Sequence, residues 1–182
     1  MKNDPVLFGQ VSRFVGSLAQ CSELGIKPVL AASNVLTLEL PYSQSIIGNP
    51  DTGVIHGGAI TTLMDTASGS VVICGLDEFE LCPTLDLRVD YMHAAEPGKP
   101  VFAKATCYKI TKNIIFTRCI AYQDSDEEPV AQCVATFMRI GAEATPLSFR
   151  QMVMGAQSGG GKGTNSGAKS AAKSGTEQKG QE

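Results

Sequence analysis

The sequence is poor in the residues and patterns that mark several classes of protein. Its 182 residues include no tryptophan and only two histidines. The six cysteines form no CxxC pair and no cluster with histidine. Zinc ribbons and dithiol redox motifs need such spacings, so both classes are excluded. Scattered cysteines of this kind are typical of a reducing compartment, where they pack as small hydrophobes.

The chain also lacks a targeting pattern and a strong charge of either sign. Residues 1–10 do not show the basic-then-apolar order of a signal peptide, which predicts a cytoplasmic protein. The net charge of −3 argues against nucleic-acid binding. Threonines, serines and one aspartate interrupt the longest apolar stretch, residues 57–75, which argues against a membrane span.

What is present indicates one main domain with an appendage at each end. Hydrophobic residues make up 43% of the chain, enough for a core. Residues 1–28 are predicted as a helix and a linker, because a helical apolar stripe follows the Asp4-Pro5 start signal. Residues 29–154 form the predicted main domain. Residues 155–182 are rich in Gly, Ser and Lys without large apolar side chains, so this tail is expected to be disordered.

The main domain alternates between strand patterns and one long helix. We predict a strand at 29–40, a loop at 42–53 and a helix at 57–75. Four further strands are predicted at 84–92, 101–111, 114–122 and 130–140, and short turns join the last three into an antiparallel sheet. In the first of these, alternation places Leu85, Leu87, Val89 and Tyr91 on one face and Thr84, Asp86, Arg88 and Asp90 on the other.

One carboxylate stands in the long apolar segment. Between Asp51 and Asp77 the only formal charge is Asp65. A carboxylate in a dry segment is costly unless it is paired or used chemically. Asp65 is therefore a candidate base or nucleophile. The alternative is a structural acid that bonds a hydroxyl or caps a neighbouring loop.

The start of the predicted helix is a candidate oxyanion site. A helix N-terminus offers unpaired N–H groups and the positive end of the helix dipole. Gly57 and Gly58 would let a ligand oxygen approach the backbone there, although the pair could also serve packing alone. His56 is interpreted first as a helix-entry residue that bonds nearby backbone, with an acid–base role as the alternative.

The spacing of these groups predicts a shared site. Gly57 and Asp65 are eight residues apart, which is about 12 Å along a helix. A reacting carbonyl has to lie about 3 Å from its oxyanion donor and similarly close to its nucleophile. One helix cannot place both groups at one carbonyl, whereas two antiparallel copies about a two-fold axis can. If the site is real, the protein is at least a dimer with two shared sites.

The sequence resembles a known family in the motif that surrounds Asp65 and in two later strands. The triplet His56-Gly57-Gly58 followed by Asp65 resembles the hotdog-fold thioesterases of the phenylacetic acid degradation (PaaI) type, in the 4-hydroxybenzoyl-CoA thioesterase superfamily. The stretches TLDLRVDYM and VAQCVATFMRI are similar to the same family's sheet. The resemblance implies an α+β hotdog fold, with an antiparallel β-sheet wrapped around a long central α-helix. It also implies dimers paired through their sheets, dimers of dimers, and hydrolysis of acyl-CoA without metal or bound cofactor.

Matched by position, the resemblance implies a role for four residues. Asp65 matches the catalytic carboxylate, and Gly57 matches the residue whose N–H polarises the thioester carbonyl. Thr84 matches a Ser or Thr that helps to place the attacking water. Asn49 lies near an Asn that contacts the thioester in some relatives, although the loop to Gly53 is one residue longer than the Asn-x-x-Gly form.

The resemblance also implies binding sites for the CoA phosphates and for the acyl group. The phosphates of CoA need basic side chains, and we expect Arg88 and the hairpin tip Lys112-Asn113 to contribute, with a solvated surface as the alternative. Gly58 lies beside the expected oxyanion donor. The acyl group is expected against apolar residues of the central helix, such as Leu63, Met64 and Val71, which would face their counterparts across the two-fold axis. This lining suits a medium, long or aryl acyl group.

The function predicted is therefore hydrolysis of an acyl-CoA to the free acid and CoA. Two alternatives stay open. One is a non-catalytic hotdog protein that binds acyl-CoA or completes a hetero-oligomer. The other is a hotdog hydratase or dehydratase, although the sequence has no DxNPxH stretch.

Overall fold

The computed structural model describes residues 1–155. Within them, one six-stranded sheet packs against a central helix, accompanied by a small two-stranded sheet and three further helices. The helices are α1 Pro5–Gly16, α2 Ala19–Leu24, α3 Gly57–Ser70 and α4 Leu147–Met154. The strands are β1 Lys27–Ala32, β2 Val35–Leu40, β3 Ile47–Asn49, β4 Val54–Ile55, β5 Thr84–Tyr91, β6 Val101–Ile110, β7 Ile114–Tyr122 and β8 Ala131–Met138. Apart from Gly155, the tail predicted at 155–182 lies outside the described residues.

Helix α3 is the central helix that the sequence predicts. A 3₁₀ turn, Val71–Cys74, continues it. Its apolar side chains, Leu63 and Met64 among them, are fully buried against the sheet. Small residues allow this close packing, because a Cβ on Gly69 would lie only 3.3 Å from the ring of Phe137.

The large sheet is antiparallel throughout, with the strand order β1-β2-β6-β7-β8-β5. The predicted hairpins that link β6, β7 and β8 are confirmed. Alternate residues of these three strands are buried against α3. This alternation is what an antiparallel sheet with one covered face produces. The predicted α+β class with a sheet around a central helix is therefore confirmed.

Residues 29–40 were predicted as one strand, and this is wrong. The segment is a hairpin in which β1 and β2 pair. Asn34 turns the chain with a positive φ of 59°, a conformation that asparagine tolerates better than most residues. Its N–H donates to the carbonyl of Cys74, and its carbonyl accepts from Cys107. The turn is thus held by the end of the central helix and by β6.

The predicted loop at 42–53 also contains regular structure. A 3₁₀ turn, Gln44–Ile46, leads into β3, which pairs with β4. The N–H of His56 donates to the carbonyl of Ile46 at 2.7 Å. This small hairpin therefore fixes where the chain enters α3.

Strand β5 forms one edge of the large sheet, and within residues 1–155 it pairs only with β8. The pairing register shifts between Thr84 and Asp86. Because of this bulge, Thr84 turns towards α3, the side that Leu87 also faces, while Leu85 is 54% exposed. The face predicted for Thr84 was wrong, since strict alternation does not allow for an extra residue.

The terminal helices cover one end of the central helix. The predicted start of α1 is confirmed, because the Asp4 carboxylate accepts from the N–H groups of Val6 and Leu7. Phe14 of α1, Phe79 of the loop before β5, and Phe149 of α4 form an aromatic cluster, with ring centroids 5.9–6.2 Å apart. None of the described helices is both long and apolar enough to cross a bilayer.

A buried ion pair anchors the loop that precedes β5. The Glu80 side chain is 3% exposed, and its carboxylate accepts from Arg139 Nε at 2.5 Å. Its second oxygen accepts from the N–H of Gly141, also at 2.5 Å. A buried carboxylate needs this number of donors to offset its lost hydration. The loop that ends at Thr84 is thus held against the end of β8.

Candidate functional site

The structure brings Asp65 and Thr84 together. Asp65 lies on α3, and the hydroxyl of Thr84 donates to its Oδ1 at 3.2 Å. The bulge at the start of β5 makes this contact possible, because it turns the Thr84 side chain towards the helix. Both residues line a cavity of about 260 Å³. One oxygen of the carboxylate is therefore fixed by Thr84, and the carboxylate lies at the edge of a space that a ligand can occupy.

The start of α3 is organised by His56. It is the N-cap residue, and its Nδ1 accepts from the N–H of Gly58 at 2.9 Å. This hydrogen bond occupies both the N–H of Gly58 and the Nδ1 lone pair of His56, so neither group is available to a ligand. Gly57 is the first residue of the helix, so its N–H has no acceptor within the helix. Of the two glycines, Gly57 is the one whose N–H can serve a ligand.

Tyr91, for which the sequence predicts no role at the site, contacts Gly57. Its hydroxyl donates to the carbonyl of Gly57 at 2.6 Å and lies 2.5 Å from the Thr61 hydroxyl. A Cβ on Gly57 would lie 3.2 Å from this hydroxyl oxygen. Tyr91 thus holds the first turn of α3 from the end of β5. The sequence feature that could have indicated this role is the tyrosine hydroxyl at the end of the apolar face of β5.

Within one chain, the two groups expected at the thioester lie apart. Asp65 contacts Thr84, the first residue of β5, whereas Gly57 contacts Tyr91, its last residue. On α3, Gly57 and Asp65 are separated by eight residues, which is about 12 Å along the helix. The single chain therefore presents a carboxylate half and an amide half at opposite ends of one edge strand.

The remaining predicted site residues are dispersed. The Asn49 side chain accepts from the N–H of Asp51, so it stabilises its own turn. Arg88 is exposed on the side of β5 away from α3, where it pairs with Asp90 at 3.0 Å. Lys112 and Asn113 are exposed at the turn between β6 and β7. That turn lies at the same end of the sheet as Thr84, because Ile114 pairs with Met138, which bonds Pro83.

The cavity has different walls from those that the sequence predicts. Leu63, Met64 and Val71 are fully buried in the subunit core and do not line it. The walls come from α1, the start of α2, the face of α3 that carries Asp65 and Gly69, the turn after α3, the loop before β5 and the end of β8. Periodicity shows which helix residues are apolar but not which of them face a cavity. Phe14 and Phe79, which do line it, lie outside the central helix, so the period of that helix does not indicate them.

One thiol lies in the wall of this cavity. Burial raises the pKa of Cys82 to about 12. The thiol is therefore protonated near neutral pH and is a poor nucleophile. In the part of the chain that the structure describes, no three side chains of His, Cys, Asp or Glu cluster as metal ligands would. Two carboxylates line the cavity, and both oxygens of Glu80 accept hydrogen bonds from Arg139 and Gly141. Asp65 is therefore the candidate base or nucleophile.

The chain is similar to known proteins both in sequence and in fold. The model of the thioesterase superfamily, 4HBT, matches residues 52–130. A crystal structure of a Pseudomonas aeruginosa protein is 55% identical, covering 74% of this chain and 99% of that one, with a TM-score of 0.69. A Ralstonia eutropha protein, described as a candidate thioesterase related to phenylacetic acid degradation, has the same fold. It is 21% identical, with 71% and 98% of the two chains covered and a TM-score of 0.61.

A curated relative is also similar. A candidate esterase of Halobacterium salinarum is 31% identical over 88 residues. The match covers 47% of this chain and 58% of that protein. This chain thus matches little more than half of the length of the relative.

Proposed function

The chain belongs to the thioesterase superfamily, and we propose that it hydrolyses an acyl-CoA thioester to the free acid and CoA. The observation that carries this proposal is the contact between Asp65 and Thr84 at the mouth of a cavity. A carboxylate fixed by one hydroxyl beside a ligand-sized space is suited to activate water or to attack a carbonyl.

The carbonyl of the thioester would be polarised by the N–H of Gly57. As the first residue of α3, Gly57 combines an N–H without an intrahelical acceptor with the positive end of the helix dipole. Charge that develops on the thioester oxygen is stabilised by such a donor. Tyr91 and His56 hold the first turn in place from two sides, which keeps the donor oriented.

The amide and the carboxylate would come from different subunits. Strand β5 has an edge without a partner among the described residues. An isologous dimer pairs identical surfaces about a two-fold axis. If two β5 strands pair antiparallel, with the axis between Leu87 and Arg88, the Thr84 end of one strand meets the Tyr91 end of the other. Asp65 of one subunit then lies near Gly57 of the partner subunit.

The exposure of β5 supports this pairing. Leu85, Tyr91 and Met92 are 54%, 50% and 52% exposed in the single chain. An edge strand with exposed apolar side chains is a template for pairing with another strand. The dimer would cover these residues and complete two sites at once. Lys112, at the Thr84 end, is the basic side chain that we propose for a CoA phosphate.

The experiment that tests the reaction is release of free CoA. Full-length protein is incubated with a panel of acyl-CoA thioesters and a thiol reagent reports the CoA. We expect turnover with at least one acyl-CoA and no hydration of an enoyl-CoA. Binding of acyl-CoA without CoA release would contradict the proposal and indicate the non-catalytic alternative. Hydration of the enoyl-CoA would indicate a hydratase.

A further inference from the structure

The peptide unit between Gly57 and Gly58 is held at both of its ends. Its carbonyl, on Gly57, accepts from the Tyr91 hydroxyl at 2.6 Å. Its N–H, on Gly58, donates to His56 Nδ1 at 2.9 Å. One end is therefore fixed by the cap of the helix, and the other end is fixed from outside the helix by the last residue of β5.

The attachment from outside is important because the helix itself restrains the Gly57 N–H weakly. The peptide unit that carries this N–H has its carbonyl on His56, which accepts from the N–H of Ala59 at 3.0 Å. Helix ends fray, so a bond within the first turn is a weak restraint. Because peptide units are planar, only φ and ψ of Gly57 relate its N–H to the next unit. Those two torsions are unusually free in glycine.

A second hydroxyl supports the Tyr91 contact. Thr61 Oγ1 lies 2.5 Å from the Tyr91 hydroxyl oxygen and 3.2 Å from the carbonyl oxygen of Gly57. Tyr91 can therefore donate to the carbonyl while it accepts from Thr61, and hydrogen bonds linked in this way strengthen each other. The Tyr91 side chain is 50% exposed, so these two partners fix its hydroxyl more than burial does.

The proposed dimer places Tyr91 beside both halves of one site. In that pairing of two β5 strands, Tyr91 is directly opposite Thr84 of the partner subunit. Side chains directly opposite each other on antiparallel strands share one face of the sheet. In the single chain both of these side chains turn towards α3. The tyrosine that holds Gly57 would thus neighbour the carboxylate half that the other subunit supplies.

We propose that Tyr91 is a positioning residue of the thioesterase site, whose hydroxyl sets the direction of the Gly57 N–H through the Gly57 carbonyl. This inference rests on the function proposed above. The hydroxyl proton is already bonded to the carbonyl, so the contribution of Tyr91 reaches the reaction through the amide. Without the hydroxyl the donor is still present, but it samples directions that point away from the thioester oxygen.

The kinetic test compares Tyr91→Phe in two backgrounds of the full-length protein. Phenylalanine keeps the ring and removes only the hydroxyl. We expect kcat for CoA release to fall about tenfold, a part of the about 10²- to 10³-fold that one oxyanion donor contributes. KM should change less than about twofold, because the interaction acts in the transition state. In the Gly57→Pro protein, which lacks the N–H, the same substitution should change kcat less than about twofold.

Equal losses in the two backgrounds would indicate a general structural effect and would overturn the inference. Tyr108→Phe is the matched control. Tyr108 is 54% exposed on β6, and its ring also packs on a neighbour, with the Phe116 centroid 6.3 Å away. We expect this variant to keep the wild-type kcat.

The order of the Gly57 amide decides the inference even if no thioester is cleaved. Full-length protein labelled with ¹⁵N-glycine gives the order parameter of this N–H by NMR relaxation. We expect a rigid value of about 0.85 in the wild type and in Tyr108→Phe, and a fall towards about 0.6 in Tyr91→Phe. An unchanged order parameter in a folded Tyr91→Phe protein would overturn the inference. Absence of CoA release from the wild type would contradict the proposed function alone.

Discussion

Asp65→Asn is expected to lower kcat for CoA release by about 10²- to 10⁴-fold, the range for loss of a catalytic proton acceptor. Asparagine keeps the size of the side chain, and its amide oxygen can still accept the hydrogen bond from Thr84. It carries no charge, so it neither removes a proton from water nor attacks the thioester. The rate of CoA release under saturating substrate measures the effect.

The matched control is Asp86→Asn. Asp86 is an exposed aspartate at the start of β5, two residues from Thr84. We expect this variant to keep wild-type kcat, which shows that the loss of a nearby charge is not the cause. Hydrolysis by a folded Asp65→Asn protein at the wild-type rate would contradict the proposed role of the carboxylate.

Gly57→Pro is expected to lower kcat by about 10²- to 10³-fold, the cost of losing one oxyanion donor. Proline removes the N–H and is favoured at the first position of a helix, where that N–H has no intrahelical partner. The residue before proline has to be extended. His56 already has φ −64° and ψ 130°, so the substitution suits the local backbone.

Gly57→Ala separates loss of the donor from a steric effect. Alanine keeps the N–H but places a Cβ 3.2 Å from the Tyr91 hydroxyl. The tyrosine has to move by a few tenths of an ångström, so we expect a loss of less than about tenfold in kcat, since a good oxyanion donor is retained. If the alanine and proline variants lose activity equally, the N–H of Gly57 is not the donor.

The carboxylate and the helix around it were predictable because local signals agree. A single acid in an apolar segment and two glycines at a helix start are visible without tertiary structure. The helix period also converts the spacing of Gly57 and Asp65 into a distance. Strands β6, β7 and β8 were predictable for a similar reason, since short polar turns separate alternating apolar runs.

The errors arise where pairing and packing decide the conformation. The turn at Asn34 interrupts an apolar run without glycine or proline, and its position is fixed by bonds to Cys74 and Cys107 far along the chain. The bulge that turns Thr84 towards Asp65 exists only in the pairing of β5 with β8. A single-strand pattern contains no information on that register.

The cavity was mispredicted for a related reason. Met64 is apolar and follows the helix period, but this turn of α3 packs directly on the sheet and leaves no space. Phe14 and Phe79 line the cavity because α1 and the loop before β5 meet there, with Glu80 as the anchor of that loop. Contacts between segments this far apart in sequence have no local signature.

The central claim is that each site combines Gly57 of one subunit with Asp65 of the other. The most direct measurement co-expresses Asp65→Asn and Gly57→Pro chains with different tags and isolates the mixed dimer by both tags. The mixed dimer then has one intact site and one doubly impaired site. We predict about half of the wild-type CoA-release activity per dimer, since two independent sites contribute equally. A mixed dimer no more active than either parent would contradict a shared site.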